Sequence, residues 1–141
     1  MASLIDKTNR SELQNAIVRA LYWMADAYGD RNPMMQFVKL WSCIECFFAI
    51  TDEKITEANA KGIAAILVFG GYRVIAVDKY ADTKRRVKQL YKLRSTALHR
   101  GRFGHIDGTD IDELSGWVAW IIITMVSLSV RGYTTLKQIN E

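Results

Sequence analysis

Apolar residues recur along this chain at intervals of three and four, the period of one face of an α-helix. Leu13, Ile17, Ala20, Leu21 and Met24 follow that spacing, and Ser11-Glu12-Leu13-Gln14 ahead of them reads as a capping box. A first helix is therefore predicted from about Ser11 to Tyr28, with Gly29 as its stop. Asn32 followed by Pro33 is an N-cap with proline in the first turn, opening a second helix through Phe37, Leu40, Trp41, Ile44 and Phe48. Glu45 falls inside that apolar stretch, where a carboxylate must be paired or near the rim because an isolated buried charge is too costly. Thr51-Asp52-Glu53 supplies a cap and first-turn acids for a third helix reaching about Phe69, before the Gly70-Gly71 pair.

The segment "YRVIAVDKY" has the β-branched content of a strand, but a lone strand has nothing to pair with, so it is expected to be helical or irregular. Asp82 is expected to cap a fourth helix whose inner stripe is Val87, Leu90, Tyr91 and Leu98, with lysines and arginines outside and Gly101 as the C-terminal stop. Asp110 and Glu113 are placed to cap a fifth, most hydrophobic helix from Ile111 to Val130, ended by Gly132. A short sixth helix or tail covers Thr134 to Glu141.

Composition agrees with this reading. At 141 residues, half of them apolar, the chain has the length and material for one well-buried core. One proline and nine glycines leave little for the turns of a β-sandwich. The expectation is an all-α fold, a single-domain up-and-down bundle of about five helices plus a short C-terminal helix, with residues 1–141 as one domain and the core at about 11–131. Leu114 to Val130 carries no charge and imitates a membrane span, but Ser115, Thr124, Ser127 and Ser129 dilute it, and a buried core helix is the better reading. No secretory signal fits "MASLIDKTNRSELQ", so a cytoplasmic protein away from membranes is expected.

Cys43 and Cys46 form a CxxC with no second ligand pair for zinc and a mid-helix position unlike a thioredoxin site, which makes them core residues one turn apart. No metal or cofactor is expected. Charge changes the picture more. Between Lys79 and His105 stand nine Lys or Arg (Lys79, Lys84, Arg85, Arg86, Lys88, Lys92, Arg94, Arg100, Arg102) against Asp82 alone, while the whole chain carries only +4. Such asymmetry suits a face turned to an anion, nucleic acid above all, although a merely solvated helix face would look the same.

Both histidines lie in "LRSTALHRGRFGHI". Arg94 and His99, five positions apart, sit about 140° apart around an ideal helix and meet only where the helix is ending, as Gly101 implies. A helix C-terminus favours the imidazolium and neighbouring arginines oppose it, leaving an imidazole suited to proton transfer at neutral pH. His105, on the glycine-rich loop, reads as a surface residue, and Trp117 and Trp120 as core or dimer contacts rather than base-stacking platforms.

The stretch "LYKLRSTALHRG" resembles the R-x4-6-H motif of HEPN domains, in the form found in their Apea-like branch. "FVKLWSCIECFF" resembles that branch's second helix, with Trp41 and Glu45 as its aromatic and glutamate. Together the resemblance covers about Tyr22 to Trp120, and it departs at Ser95, where many active members carry Asn, Asp or His after the arginine. What it implies is a metal-independent endoribonuclease acting on RNA as a homodimer, in a defence or toxin setting, with a cognate antitoxin or a fused sensor or effector domain among its partners. Metal-free cleavage by the adjacent 2′-OH calls for a base, an acid and a cation. A two-fold interface would duplicate one histidine and one arginine into that set. His99 would be the base or acid and Arg94 the charge stabiliser. Lys88, Lys92, Arg100 and Arg102 would track the phosphates, Ser95 and Tyr91 would help bind substrate, and Glu45 would give structural support. Two other readings are open: a non-catalytic HEPN module for dimerisation or for RNA or nucleotide binding, and a small membrane-associated helical protein. For the site residues themselves a purely structural reading is also open, in which His99 caps the helix carbonyls and Arg94 simply pairs with Glu45.

Overall fold

The structure, a computed structural model, describes residues 9–48, 57–69, 76–100, 106 and 108–139; within them, the side chains of 57, 58, 69, 77, 95–100, 138 and 139 lie outside the description. Five long helices account for most of it: α1 Glu12–Gly29, α2 Pro33–Glu45, α3 Glu57–Phe69, α4 Tyr80–Arg100 and α5 Gly108–Val130, followed by a single turn, α6 Leu136–Ile139. A 3₁₀ turn, Val77–Lys79, leads into α4, and there is no strand among the described residues. The fold is the all-α bundle its periodicity predicts.

Local chemistry sets the ends. The Ser11 hydroxyl accepts from the Gln14 N–H while the Gln14 side chain accepts from the Ser11 N–H, the reciprocal capping box. The Asn32 side chain accepts from the Met34 and Met35 N–H groups ahead of α2, with Pro33 in the first turn. At the end of α5, Gly132 adopts φ +103°, the Tyr133 N–H donates to Leu128 O and the Gly132 N–H to Ser129 O, so two otherwise orphaned carbonyls are satisfied.

Four predicted boundaries move. Gly29 lies inside α1, whose cap is Asp30. α2 ends at Glu45, short of Phe48, because the Cys46 and Phe47 N–H groups reach back to Cys43 and Ile44 in a tightening turn. Asp82 falls within the first turn of α4, not at its cap, since the 3₁₀ turn has already started the helix. Asp110 is likewise inside α5 and buried, held by a partner on α4. The Thr51-Asp52-Glu53 cap, the Gly70-Gly71 pair, Gly101 and His105 lie outside the described residues.

α1 packs along α2 and α5, α2 along α5 and α4, and α3 along α4 and α5. Leu13 and Ile17, Phe37, Leu40, Trp41 and Ile44, Ile63 and Leu67, Val87 and Leu90, and Leu114, Ile121 and Met125 form the shared core. Each such side chain contributes about 1.5–3 kcal/mol by leaving water. α3 approaches the turn after α2 closely: a Cβ at Gly62 would stand 3.1 Å from the Phe48 ring. α5 is long and apolar enough to cross a membrane by length and composition, yet here it lies against α1, α2 and α3 with Leu114, Trp117, Val118, Ile121 and Met125 buried. Cys43 and Cys46 are free thiols whose Sγ atoms point to the carbonyls one turn back, and burial pushes the Cys43 thiol up to about 12. They sit in the bundle as the core reading has them.

Candidate functional site

Two helices build the seam that contains the predicted site. α2 contributes Trp41 and Glu45, one turn apart, and α4 contributes Tyr91 and Arg94, also one turn apart, so each pair shares a face. Trp41 is fully buried and its indole meets the Tyr91 ring edge-on, with centroids 5.2 Å apart and an interplanar angle of 88°. The Arg94 guanidinium lies over the Tyr91 ring at 5.3 Å and its Nη1 donates to the Tyr91 hydroxyl at 3.4 Å. Across the seam, Arg94 Nη2 stands 3.2 Å from Glu45 Oε1.

That ion pair is incompletely bonded. Glu45 Oε1, Arg94 Nε and Trp41 Nε1 are all buried without a hydrogen bond, so the 3.2 Å contact between Glu45 and Arg94 is electrostatic rather than aligned. The side chains retain 19% and 26% exposure for Arg94 and Glu45, which places the pair at the core's rim. Burial raises the Glu45 carboxyl above its ordinary range and the Arg94 charge only partly draws it back. The carboxylate within the apolar stretch thus has the arginine partner that its burial demands.

Tyr91, expected to help bind substrate, is 3% exposed. It underlies Arg94 and faces the core, so it cannot itself touch a ligand without opening the seam. α4 continues as helix through Arg100, which leaves Arg94 well before its end and keeps the backbone at position 99 helical. The two positions are then about 140° apart around the axis and about 7.5 Å along it. Within one chain, Arg94 belongs to the face turned to α2, and residue 99 belongs to the stripe that carries Arg85, Lys88 and Lys92. The side chains of Ser95, His99 and Arg100, and Arg102 altogether, lie outside the described residues.

The basic face of α4 is thinner than a count of residues suggests. Arg86 turns toward α5: its Nε donates to both Glu113 oxygens at 3.2 Å and its Nη2 to Asp110 Oδ1 at 2.6 Å. Arg85 pairs with Asp82 at 3.2 Å, and Arg94 faces Glu45. Lys92 is exposed and Lys88 half-buried on the outer side. The expectation that every cation of this helix points outward is corrected for Arg86 and Arg94. The reason is electrostatic: α5 and α2 each bring carboxylates against α4 that need a cation where water is scarce.

The Arg86 clamp is the feature sequence reading missed. Asp110 and Glu113 were expected to serve the end of their own helix, and their i, i+3 spacing, which puts both on one face toward a neighbour, was the available signal. No family model, curated protein or solved structure matches this chain.

Proposed function

We propose that this chain is a metal-independent endoribonuclease of HEPN type that works as a homodimer, with Arg94 and His99 in a composite site. The observation that carries the reading is the state of Arg94. Its guanidinium is held at a partly exposed rim by Glu45 and the Tyr91 ring. A cation positioned in advance where solvent still reaches it suits an anion whose charge grows during reaction.

In the proposed step the RNA 2′-oxygen forms a bond to the adjacent phosphorus while the bond from phosphorus to the 5′-oxygen of the next nucleotide breaks. The His99 imidazole takes the 2′-OH proton and, through solvent water, passes it to the departing oxygen, leaving a 2′,3′-cyclic phosphate and a 5′-hydroxyl. Arg94 balances charge on the phosphorane. Because positions 94 and 99 of one chain lie on different faces of α4, the productive pair joins Arg94 of one subunit to His99 of the partner subunit. Lys88 and Lys92 on the outer stripe, with Arg100 and Arg102, would hold the strand by its phosphates. The 2′-OH requirement confines cleavage to RNA. A cytoplasmic setting in a defence or toxin–antitoxin system, with an antitoxin or sensor partner, belongs to the same proposal.

A second reading has its own support. The pairing of Arg94 with Glu45 and its angular separation from position 99 suit a HEPN module that binds RNA or nucleotide, or dimerises, without cutting. Incubation of the purified chain with end-labelled RNA in EDTA separates the two. The nuclease reading expects cyclic-phosphate ends from wild type and none from His99→Ala. Intact RNA with wild type, or cutting that survives His99→Ala, removes it.

A further inference from the structure

Glu45 and Arg94 meet at the rim of the seam between α2 and α4 in a contact that is close without being aligned. Of the guanidinium nitrogens, Nε is buried without a partner and Nη1 donates to the Tyr91 hydroxyl. Nη2 is left to meet an anion, and Glu45 Oε1 already stands 3.2 Å from it. That oxygen is itself buried with no hydrogen bond, so the Arg94 charge is what keeps the carboxylate ionised there. The other ionisable groups around the pair are Tyr91 of α4 and Cys46 just past α2, and Arg19 of α1 acts on Cys46 rather than on Glu45. α5, also packed on α2, brings no ionisable group that acts on Glu45 among the described residues.

We infer that Glu45 is a built-in competitor for Arg94: an RNA phosphate that takes the guanidinium displaces the carboxylate, which then binds a proton. Little opposes the exchange, because the Glu45 contact is unaligned, whereas Arg86 would have to break three hydrogen bonds to leave its carboxylates. Burial decides what happens next at Glu45. A carboxylate left in the seam beside a phosphate loses its cation and gains a like charge, and both changes favour the neutral acid. Burial already raises its affinity for a proton, and the Arg94 charge that opposes this is the one the phosphate takes over. Phosphate binding and proton uptake are therefore linked, each strengthening the other. Affinity for RNA is greatest where Glu45 is protonated in the free chain, and it declines as pH rises through the range in which only the complex holds the proton. One proton sets a limit of about tenfold in Kd per pH unit. This role rests on Arg94 as the cation that meets RNA in the proposed function, but not on cleavage.

A fluorescein-labelled 2′-O-methyl oligouridylate tests it, because a blocked 2′-oxygen allows binding without cutting. Anisotropy titrations of the full chain from pH 5 to 8 at fixed ionic strength compare wild type with Glu45→Gln, in which any titration of the histidines is shared. At pH 8 Glu45→Gln is expected to bind at least about tenfold tighter, and at pH 5 the two agree within about threefold. In an Arg94→Ala background the same substitution changes Kd by less than about threefold, since the cation competed for is gone. Calorimetry in two buffers of different ionisation enthalpy is expected to read about one more proton taken up on binding by wild type than by Glu45→Gln where the two curves part. His99→Ala still takes up a proton on binding, a result that needs no Glu45 variant. Parallel affinity curves, a folded Glu45→Gln protein that binds more weakly than wild type at pH 8, or equal proton uptake by the two overturns the role and leaves the nuclease reading standing. A chain that binds the oligonucleotide at no pH overturns both. Binding with the expected pH dependence, by a protein that leaves unmodified RNA intact, supports the competitor and removes the nuclease reading alone.

Discussion

Two arginines eight positions apart on α4 meet carboxylates in opposite ways. Arg86 spends its donors: Nε reaches both oxygens of Glu113 and Nη2 reaches Asp110, a residue only 8% exposed. Arg94 faces a single carboxylate at 3.2 Å without alignment, leans on an aromatic ring, and leaves Nε unbonded beside an unbonded Glu45 oxygen. The first arrangement is a clasp between α4 and α5, complete in itself. The second holds a cation at the rim with its buried bonding capacity unspent, which adds little to stability.

That contrast breaks in graded ways. The largest effect is expected at the floor of the seam, where Trp41→Ala removes a fully buried indole and costs about 3–5 kcal/mol, measured by urea unfolding. Arg86→Ala comes next at about 2 kcal/mol, because it strands a buried Asp110 carboxylate, and Asp110→Asn in that background recovers part of the loss in a double-mutant cycle. Arg94→Ala costs about 1 kcal/mol or less at neutral pH, since Glu45 at the rim can take up a proton. An Arg94→Ala loss as large as that of Arg86→Ala would erase the distinction.

The smallest effect sharpens it. Burial holds the Glu45 carboxyl above the ordinary carboxylate range, so the folded state binds this proton more tightly than the unfolded chain. The contribution of Glu45 to stability is therefore greatest below the unfolded value and declines as pH rises through the folded one. Glu45→Gln flattens that part of the stability–pH curve while changing neutral-pH stability by about 0.5 kcal/mol or less. Arg94→Ala removes the charge that draws the carboxyl back down and extends the decline toward higher pH. Unfolding midpoints measured from pH 4 to 8 read both.

Much of the bundle was legible because its signals are local. Ser11 with Gln14, Asn32 with Pro33, and Gly132 mark ends through bonds within four or five residues, and the apolar spacing of Leu13, Ile17, Phe37, Leu40 and Trp41 finds the core. Glu45 in an apolar face likewise announced the need for a partner, and Arg94 supplies it. Arg86 was not legible: its own helix offers it the outer face, and only the arrival of Asp110 and Glu113 from α5 turns it inward. Tyr91 was legible as a residue of the inner stripe, and the Trp41 indole from α2 packs on its ring there.

The most direct test of the central claim mixes two dead proteins. Arg94→Ala and His99→Ala, each expected to be inactive on labelled RNA in EDTA, are unfolded together and refolded so that subunits exchange. If the working pair joins Arg94 of one subunit to His99 of the other, half the dimers are mixed and hold one intact pair, and cleavage returns to roughly a quarter of the wild-type rate. Mixed dimers that form and leave the RNA intact, or an Arg94→Ala protein that cuts as well as wild type, would contradict the account.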